Sequence, residues 1–318
     1  MEKIGYSIIV PVFNGEETLK ICLEAITSLR FSNFEIIVVD DGSTDKTSDI
    51  IDSFDKVIKV TLPQNRGRIS SRVEGAKRAS YNNLIFIDSR IIVKDRDLIN
   101  IIKKIGYLPL MVGELSEDKY RSDFDTIFYL IRKKYYCPYF PQRDYNRELW
   151  IDRDNFKRAP KGFGLVAIEK DLFFKIQPSE MVADNKSVSD DTLLFHNLVF
   201  KYNIKILRHT DIRVDYIQRV KSNIKGWIYH RGKLWADFYL KGLNLFTLIY
   251  LLLHLTILIG SIIYPMSLLV FPLLGLIIVS IYLAENLKDF IILIKKLPIL
   301  LFLFYLGTLK KIFNRLFV

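Results

Sequence analysis

The stretch from Phe34 to Asp45 constrains the fold more than any other part of the chain. Phe34-Glu35-Ile36-Ile37-Val38-Val39 is rich in β-branched and apolar residues, and it stops abruptly at Asp40-Asp41-Gly42-Ser43-Thr44-Asp45. Such a run followed by a glycine and helix-capping residues reads as a buried strand, a tight turn and a helix start. In an open parallel sheet, ligands bind beyond the carboxyl ends of the strands. Two carboxylates there can accept hydrogen bonds from sugar hydroxyls or base N–H groups, and they repel phosphate. The turn therefore reads as a nucleoside site.

The beginning of the chain repeats the pattern. Tyr6 to Val10 is a predicted strand ending in Pro11-Val12-Phe13-Asn14-Gly15, and Glu16 to Arg30 carries Leu19, Cys22, Leu23, Ile26 and Leu29 on one helical face. Val57 to Leu62 predicts a third strand, Arg66 to Ala79 a helix, and Leu84 to Ile87 a fourth strand ending in Asp88-Ser89-Arg90. Strands alternating with helices predict an α/β domain with a mostly parallel sheet and helices on both faces. Neither Gly-x-Gly-x-x-Gly nor Gly-x-x-x-x-Gly-Lys-Ser/Thr follows a strand, which argues against dinucleotide and P-loop sites.

The 318 residues are 50% hydrophobic, and the excess lies toward the C-terminus. Leu243 to Ile263 carries no formal charge, Tyr264-Pro265 marks a turn, and Met266 to Ala284 is a second uncharged run. Each is about 30 Å long as a helix, the thickness of a bilayer core, so the pair predicts a transmembrane helical hairpin. Leu297 to Leu309 is apolar but shorter, and is expected to be an interfacial or re-entrant helix. Basic residues flank the hairpin on both sides, Arg219 to Lys241 before it and Lys288 to Arg315 after it, while the turn has none. The positive-inside rule then places the N-terminal domain in the cytoplasm, on a multi-pass protein of the cytoplasmic membrane. Met1 to Ile9 has no long apolar core of a signal peptide.

The net charge of +11 could serve nucleic acid, an anionic membrane or an anionic substrate. The segment 221–242 mixes its basic residues with Trp227, Tyr229, Trp235 and Tyr239, the pattern of a headgroup-level belt contacting membrane lipids. No nucleic-acid motif occurs, so no nucleic-acid partner is expected. Cys22 and Cys137 are too few and too far apart for a metal cluster or disulfide framework. Residues 116–160, interrupted by Pro138 and Pro141, read as an irregular connection or as an acceptor-side flap.

Val10-Pro11-Val12-Phe13-Asn14, Val39-Asp40-Asp41-Gly42-Ser43, Asn65-x-Gly67, Arg72 and Ile87-Asp88 fall in the order seen in the family 2 inverting glycosyltransferases, which have the GT-A fold. Gly162-Phe163-Gly164, Ile168-Glu169-Lys170 and Ser189-Asp190-Asp191-Thr192 resemble that family's acceptor half. The resemblance covers roughly residues 4 to 220. It implies a donor half over 1–110, an acceptor half over 111–220, a juxtamembrane segment over 221–242 and a membrane anchor over 243–318.

The resemblance also implies roles. Asp191 becomes the candidate base that deprotonates the acceptor hydroxyl, with Asp190 beside it, although Ser189 and both aspartates equally suit a helix N-terminus. Asp41 would accept a hydrogen bond from the nucleobase and Asp40 would lie nearer the ribose. Pro11, Val12 and Phe13 would flank the base, with Phe13 either stacking on it or packing in the core. Arg72 would face the donor, or else be a solvated helix residue. Gly162, Phe163, Gly164, Arg219 and Lys221 would line the acceptor or diphosphate side.

The chain departs from the family at two places. The usual Asp-x-Asp, whose second carboxylate binds a divalent cation, is here Asp88-Ser89-Arg90, and the later metal-associated histidine is missing from Arg213-Val214-Asp215-Tyr216. Mn²⁺ or Mg²⁺ is thereby in doubt as a cofactor. Arg90 could neutralise the diphosphate in place of the cation. The site could be degenerate, or a metal could bind through Asp88 and Asp215. The second departure is Gln218-Arg219-Val220-Lys221-Ser222, only an echo of the Gln-x-x-Arg-Trp of processive synthases. The expected function is transfer of one sugar from a nucleotide-sugar donor, UDP-linked, to a lipid-linked or membrane-borne glycan acceptor. The alternatives are a polyprenyl-phosphate sugar synthase and a catalytically dead scaffold of a glycan-assembly complex.

Overall fold

The computed structural model describes residues 4–112, 122–136, 149–177, 190–209, 212–217, 224–239 and 267–317, with residues 248, 249, 252 and 256. The chain forms two compact units, one of Met1–Tyr120 with Tyr136–Ile217, the other of Arg121–Tyr135 with Gln218–Val318.

The first unit opens with alternating strands and helices: β1 (Tyr6–Val12), α1 (Leu19–Thr27), β2 (Phe34–Asp40), α2 (Thr47–Asp52), β3 (Val57–Thr61), α3 (Arg68–Arg78) and β4 (Asn83–Ile87). It continues through β5 (Ile91–Val93), α4 (Leu98–Ile105), β6 (Leu110–Val112), β7 (Leu149–Ile151), β8 (Leu165–Glu169) and α6 (Lys170–Lys175). Helix α7 (Asp190–His196) runs into a π-helical turn at Asn197–Lys201, followed by β9 (Ile206–His209) and β10 (Val214–Tyr216). The label α5 belongs to the second unit, below.

An eight-stranded sheet has the order β3-β2-β1-β4-β8-β6-β9-β7, and β5 and β10 form a separate antiparallel pair. Strands β3, β2, β1 and β4 are parallel, as the helical crossovers between them require, while β8 is antiparallel to both β4 and β6. In register, Tyr6 pairs with Phe34 and Val12 with Asp40, so β1 and β2 end level. This is the expected α/β architecture, with mixed pairing beyond β4.

Strand alternation divides the core between the two faces of the sheet. Ile8, Val10, Ile36 and Val38 pack with α1 and α4 on one face, and Ile9, Ile37, Val39 and Phe86 pack with Ala76 of α3 on the other. Cys22 is buried in the first cluster, a core position as its helical spacing implies. Helix α3 approaches the sheet closely at Gly75, where a Cβ would overlap Ile9 and lie 3.1 Å from the Val39 side chain.

The second unit contains α5 (Asp123–Tyr136), α8 (Ile224–Tyr239), α9 (Ser267–Leu283) and α10 (Leu287–Phe317). Helix α5 replaces the irregular connection expected within 116–160. It starts at a capping box, with Asp125 Oδ2 accepting from the Ser122 N–H at 2.9 Å and from its hydroxyl at 2.6 Å. Ile127 and Leu130 are its buried face, packed with Ile224, Ile228 and Leu293. Helices α8 and α10 cross at two glycines: a Cβ on Gly232 would overlap the Phe304 carbonyl, and one on Gly307 the Tyr229 carbonyl. The Thr308 hydroxyl sits at that crossing, 3.2 Å from the Gly232 carbonyl and 3.0 Å from that of Phe304.

Helix α10 extends the expected helix at Leu297–Leu309 toward the N-terminus. These residues lie inside one continuous helix of 31 residues, begun by a second capping box in which Asn286 Oδ1 accepts from the Asp289 N–H at 2.9 Å. Lys295 and Lys296 do not interrupt it, since a long lysine stem can lie along a helix and carry its charge away from the apolar face. Its segment Leu287–Asn314 is, among the described residues, the one helix long and apolar enough to cross a membrane; Val270–Leu283 of α9 is apolar but shorter. Phe271, Leu273, Ile278 and Ile281 of α9 and Leu301 and Phe302 of α10 are exposed. The expected first span, 243–263, and the Tyr264-Pro265 turn lie largely outside the described residues.

Candidate functional site

The parallel strands β1, β2 and β4 end on one edge of the sheet, and their carboxyl ends bring together Pro11 to Phe13, Asp40-Asp41 and Asp88. The loops after β1 and β2 are stitched to each other. The Asn14 N–H donates to Ser43 Oγ at 2.9 Å, the Thr44 N–H to Asn14 Oδ1 at 2.9 Å, and the Gly15 N–H to Thr47 Oγ1 at 2.8 Å. The Glu16 N–H donates to Asp45 Oδ2 at 3.1 Å, and the Lys46 N–H to Glu16 Oε2 at 3.2 Å. Asn14 takes a left-handed φ of 48°, which asparagine tolerates. Phe13 is 46% exposed, so core packing is not its role. Val12 is buried and Pro11 is half-buried.

Asp40 and Asp41 are both buried, and each is already engaged. Asp40 Oδ1 accepts from the Ser43 N–H at 2.9 Å, closing the turn. Gly42 has a φ of +72°, and a Cβ there would stand 2.8 Å from the Gln64 backbone, so this turn admits only glycine without strain. Asp41 Oδ1 accepts from the Arg66 N–H and Oδ2 from the Gly67 N–H, each at 2.8 Å. The carboxylate thus holds the Asn65-x-Gly67 loop at the start of α3. Burial, aided by the adjacent Asp40 charge, pushes the Asp41 carboxyl up, against the pull of these two N–H groups and the Ser71 hydroxyl. A nucleobase donor would share an acceptor that already serves the backbone.

Arg72 is neither solvated nor on the surface. It is 2% exposed, with Cζ 4.1 Å above the Phe163 ring. Phe163 in turn stacks on Phe195 at 5.5 Å with an interplanar angle of 24°, and meets Phe86 edge-on. Arg72 of α3, the Gly162-Phe163-Gly164 segment and α7 are therefore one stack. The Gly164 carbonyl accepts from the Asp88 N–H at 2.8 Å, tying the same segment to the end of β4. Helix α7 begins at Asp190, as the helix-start reading of that pair requires, while the side chains of Asp190 and Asp191 lie outside the described residues. Arg219 and Lys221 also lie outside them.

Beyond β4, Asp88 and Arg90 close on each other. Arg90 Nε donates to Asp88 Oδ1 and Nη2 to Oδ2, both at 3.0 Å, a bidentate pair that the Arg90 N–H supplements at 3.1 Å. The Arg90 Cζ lies 4.7 Å from the centre of the Tyr216 ring. Burial alone would raise the Asp88 carboxyl, but the Arg90 guanidinium outweighs it, with Arg68 adding to the effect, and holds it below the usual carboxylate range. The β5–β10 pair brings the second candidate metal ligand into the same region: the Ile217 N–H donates to the Arg90 carbonyl, and Asp215 pairs in register with Ile92. Asp215 Oδ2 lies 2.7 Å from Lys94 Nζ. Both carboxylates proposed for a divalent cation are thus taken by cations of the chain itself. Arg90 has no lone pair to give a metal. Among the described residues, these side chains as placed do not fit one.

Lys94, Tyr216, Arg68 and Lys161 were not legible as site residues. Lys161, next to Gly162, donates to the carbonyls of Phe156 and of Ala159, the latter at 3.1 Å, and sits over the Phe156 ring at 4.4 Å. Burial pushes its ammonium down to about 8.

Residues 7–155 match the family model described as glycosyl transferase family 2. Poly-beta-1,6-N-acetyl-D-glucosamine synthase of Staphylococcus epidermidis is 35% identical over 94 residues, 29% of this chain and 23% of that protein. Among solved structures, the mannosyltransferase PcManGT of Pyrobaculum calidifontis, in complex with GDP-Man and Mn²⁺, has a TM-score of 0.51 at 16% identity over 74% of this chain and 63% of that one. TarS 1–349 of S. aureus, in complex with UDP-GlcNAc, has a TM-score of 0.50 at 18% identity over 76% and 68%. These two likenesses are of fold. The chain spans about a quarter of the length of the curated synthase it matches. The ordered motifs, the parallel sheet and the family match agree, and residues 7–155 are similar to glycosyl transferase family 2.

Proposed function

We propose that the chain is an inverting, non-processive glycosyltransferase. It would move one sugar from a nucleotide-sugar donor, UDP-linked, to a lipid-linked glycan at the cytoplasmic face of the membrane. The observation that carries this reading is the cluster of Asp40, Asp41 and Asp88 at the carboxyl ends of adjacent parallel strands, inside the region similar to glycosyl transferase family 2. In this reading residues 1–110 hold the donor and 111–220 the acceptor, helix α5 excepted. Phe13, exposed beside the two aspartates, offers a ring to the nucleobase. The complexes of the two fold neighbours with UDP-GlcNAc and GDP-Man support a nucleotide-sugar donor as a class.

The chemistry follows from the roles. Asp191 takes the proton from the acceptor hydroxyl. The oxygen attacks the anomeric carbon from the face opposite the nucleotide, the glycosidic bond forms as the bond to the diphosphate breaks, and the configuration inverts. The departing nucleoside diphosphate needs facing positive charge. The synthase relative bears a polymer-making name, but the weak Gln218-Arg219-Val220-Lys221-Ser222 echo lacks a tryptophan platform, which favours single transfer. The exposed apolar faces of α9 and α10 suit a lipid surface.

The test is transfer by the full chain in detergent, with a panel of labelled nucleotide sugars and bacterial lipid extract. The expected result is one labelled lipid product of inverted configuration. Absence of transfer, of donor hydrolysis and of donor binding would favour the scaffold alternative, for which the closed Asp88–Arg90 pair is the supporting observation.

A further inference from the structure

The region beyond β4 presents two carboxylates that could hold a cation, and in both the cation is already part of the protein. Arg90 covers both oxygens of Asp88, and Lys94 lies on Asp215. The Arg90 side chain is positioned by Asp88 along its Nε–Nη2 edge and by the Tyr216 ring on its face, while its backbone carbonyl accepts from the Ile217 N–H. Arg68, at the first position of α3, is close enough to act electrostatically on Asp88. Cationic side chains from two separate segments, Arg68 of α3 and Arg90 beyond β4, thus act on Asp88 at the strand end where the leaving group of the proposed reaction would develop charge.

We infer that the donor diphosphate is held by a fixed protein charge centred on Arg90 and needs no divalent cation. This rests on the donor-site reading above. A guanidinium is always charged, and its planar fork suits phosphate oxygens. Asp88 then acts as a positioning residue: it orients Arg90 as a second carboxylate would orient a metal-bound ligand. A divalent ion brought to Asp88 would have to displace a bidentate ion pair and sit against a guanidinium of the same sign.

Binding of UDP and of GDP to the full chain in detergent, measured by calorimetry, tests this apart from turnover. In EDTA and in excess Mn²⁺ the wild-type dissociation constants should agree within about threefold, on the ordinary scale of affinity differences. Arg90→Ala should weaken binding by about tenfold or more, equivalent to about 1.4 kcal/mol. Arg90→Lys should be intermediate, because a point charge lacks the fork. Arg90→Asp should bind only when Mn²⁺ is present. Thermal melting of each variant checks folding, and if Arg90→Ala does not fold, Arg90→Lys and Arg90→Gln carry the comparison. Wild-type binding that vanishes in EDTA and returns with Mn²⁺ overturns the inference but leaves the donor site standing. A folded Arg90→Ala that binds as tightly as wild type overturns it too. No nucleotide binding under either condition defeats the donor reading itself.

Discussion

Phe163 offers the sharpest test of how α3, α7 and the end of β4 are joined. Phe163→Leu keeps most of the side-chain volume, so the packing change alone should cost less than about 1.5 kcal/mol. It removes the ring that stacks on Phe195 and meets Phe86, both at 5.5 Å between centroids. Each such pair contributes roughly 0.5–1.5 kcal/mol beyond its buried area. It also removes the face over which Arg72 lies at 4.1 Å. A cation–π contact shielded from water is worth about 2 kcal/mol. These terms share one ring and do not add fully, so the expected loss is about 2–4 kcal/mol. For a unit of this size that lowers the melting temperature by about 5–15 °C. The assay is thermal melting of the full chain in detergent, followed by tryptophan fluorescence, for Phe163→Leu, Arg72→Met and the double variant. The cycle should give a coupling of about 1–2 kcal/mol. Additivity within about 0.5 kcal/mol would show that Arg72 and Phe163 are neighbours without an energetic bond, and the reading of α3, Phe163 and α7 as one stack would fail.

Asp191→Asn should leave UDP affinity within a few-fold of wild type and lower transfer by roughly 100-fold or more, the scale of general base catalysis; near-normal turnover would leave Asp191 as a helix cap only. Gly75→Ala should destabilise by about 1–2 kcal/mol, since overpacking against Ile9 and Val39 outweighs the roughly 0.5–1 kcal/mol that alanine gains in a helix. A raised melting temperature would show that the sheet yields there at little cost. Lys161, pushed down to about 8, binds its proton less tightly in the folded than in the unfolded chain. Its contribution to stability should therefore rise with pH from about 8 to the unfolded value near 10.4, and Lys161→Met should lack that slope when melting temperatures are compared across the window.

What could be read from the sequence was local, and what could not was long-range. The apolar run of β2 ending at Asp40-Asp41 carried its strand, turn and helix start in adjacent residues, and the structure has all three. The role of Asp41 was half visible: Gly67, with a φ of +89°, marked a special turn, but nothing local said that Asp41 would hold it from 25 residues away. Tyr216 and Lys94 were invisible for the same reason, since β5 is three residues long and finds β10 more than a hundred residues further along the chain. The burial of Arg72 was not legible because an arginine in an eleven-residue helix ordinarily faces water; only the distant Phe163 ring makes its burial affordable. In α10, Lys295-Lys296 looked like a boundary because charge was weighed along the chain rather than around the helix.

The stitched loops after β1 and β2 have a consequence for how this mouth can vary. Asn14 and Glu16 give and receive bonds with Ser43, Thr44, Asp45 and Lys46, so neither loop has a shape of its own. A ligand arriving there meets a rim that is already ordered and loses little of its binding energy to arranging it. The same stitching means that an exchange of one loop alone, as in a chimaera with a relative, leaves the partner's N–H groups facing the wrong acceptors. The two loops are heritable only as a pair, and graftable only as a pair.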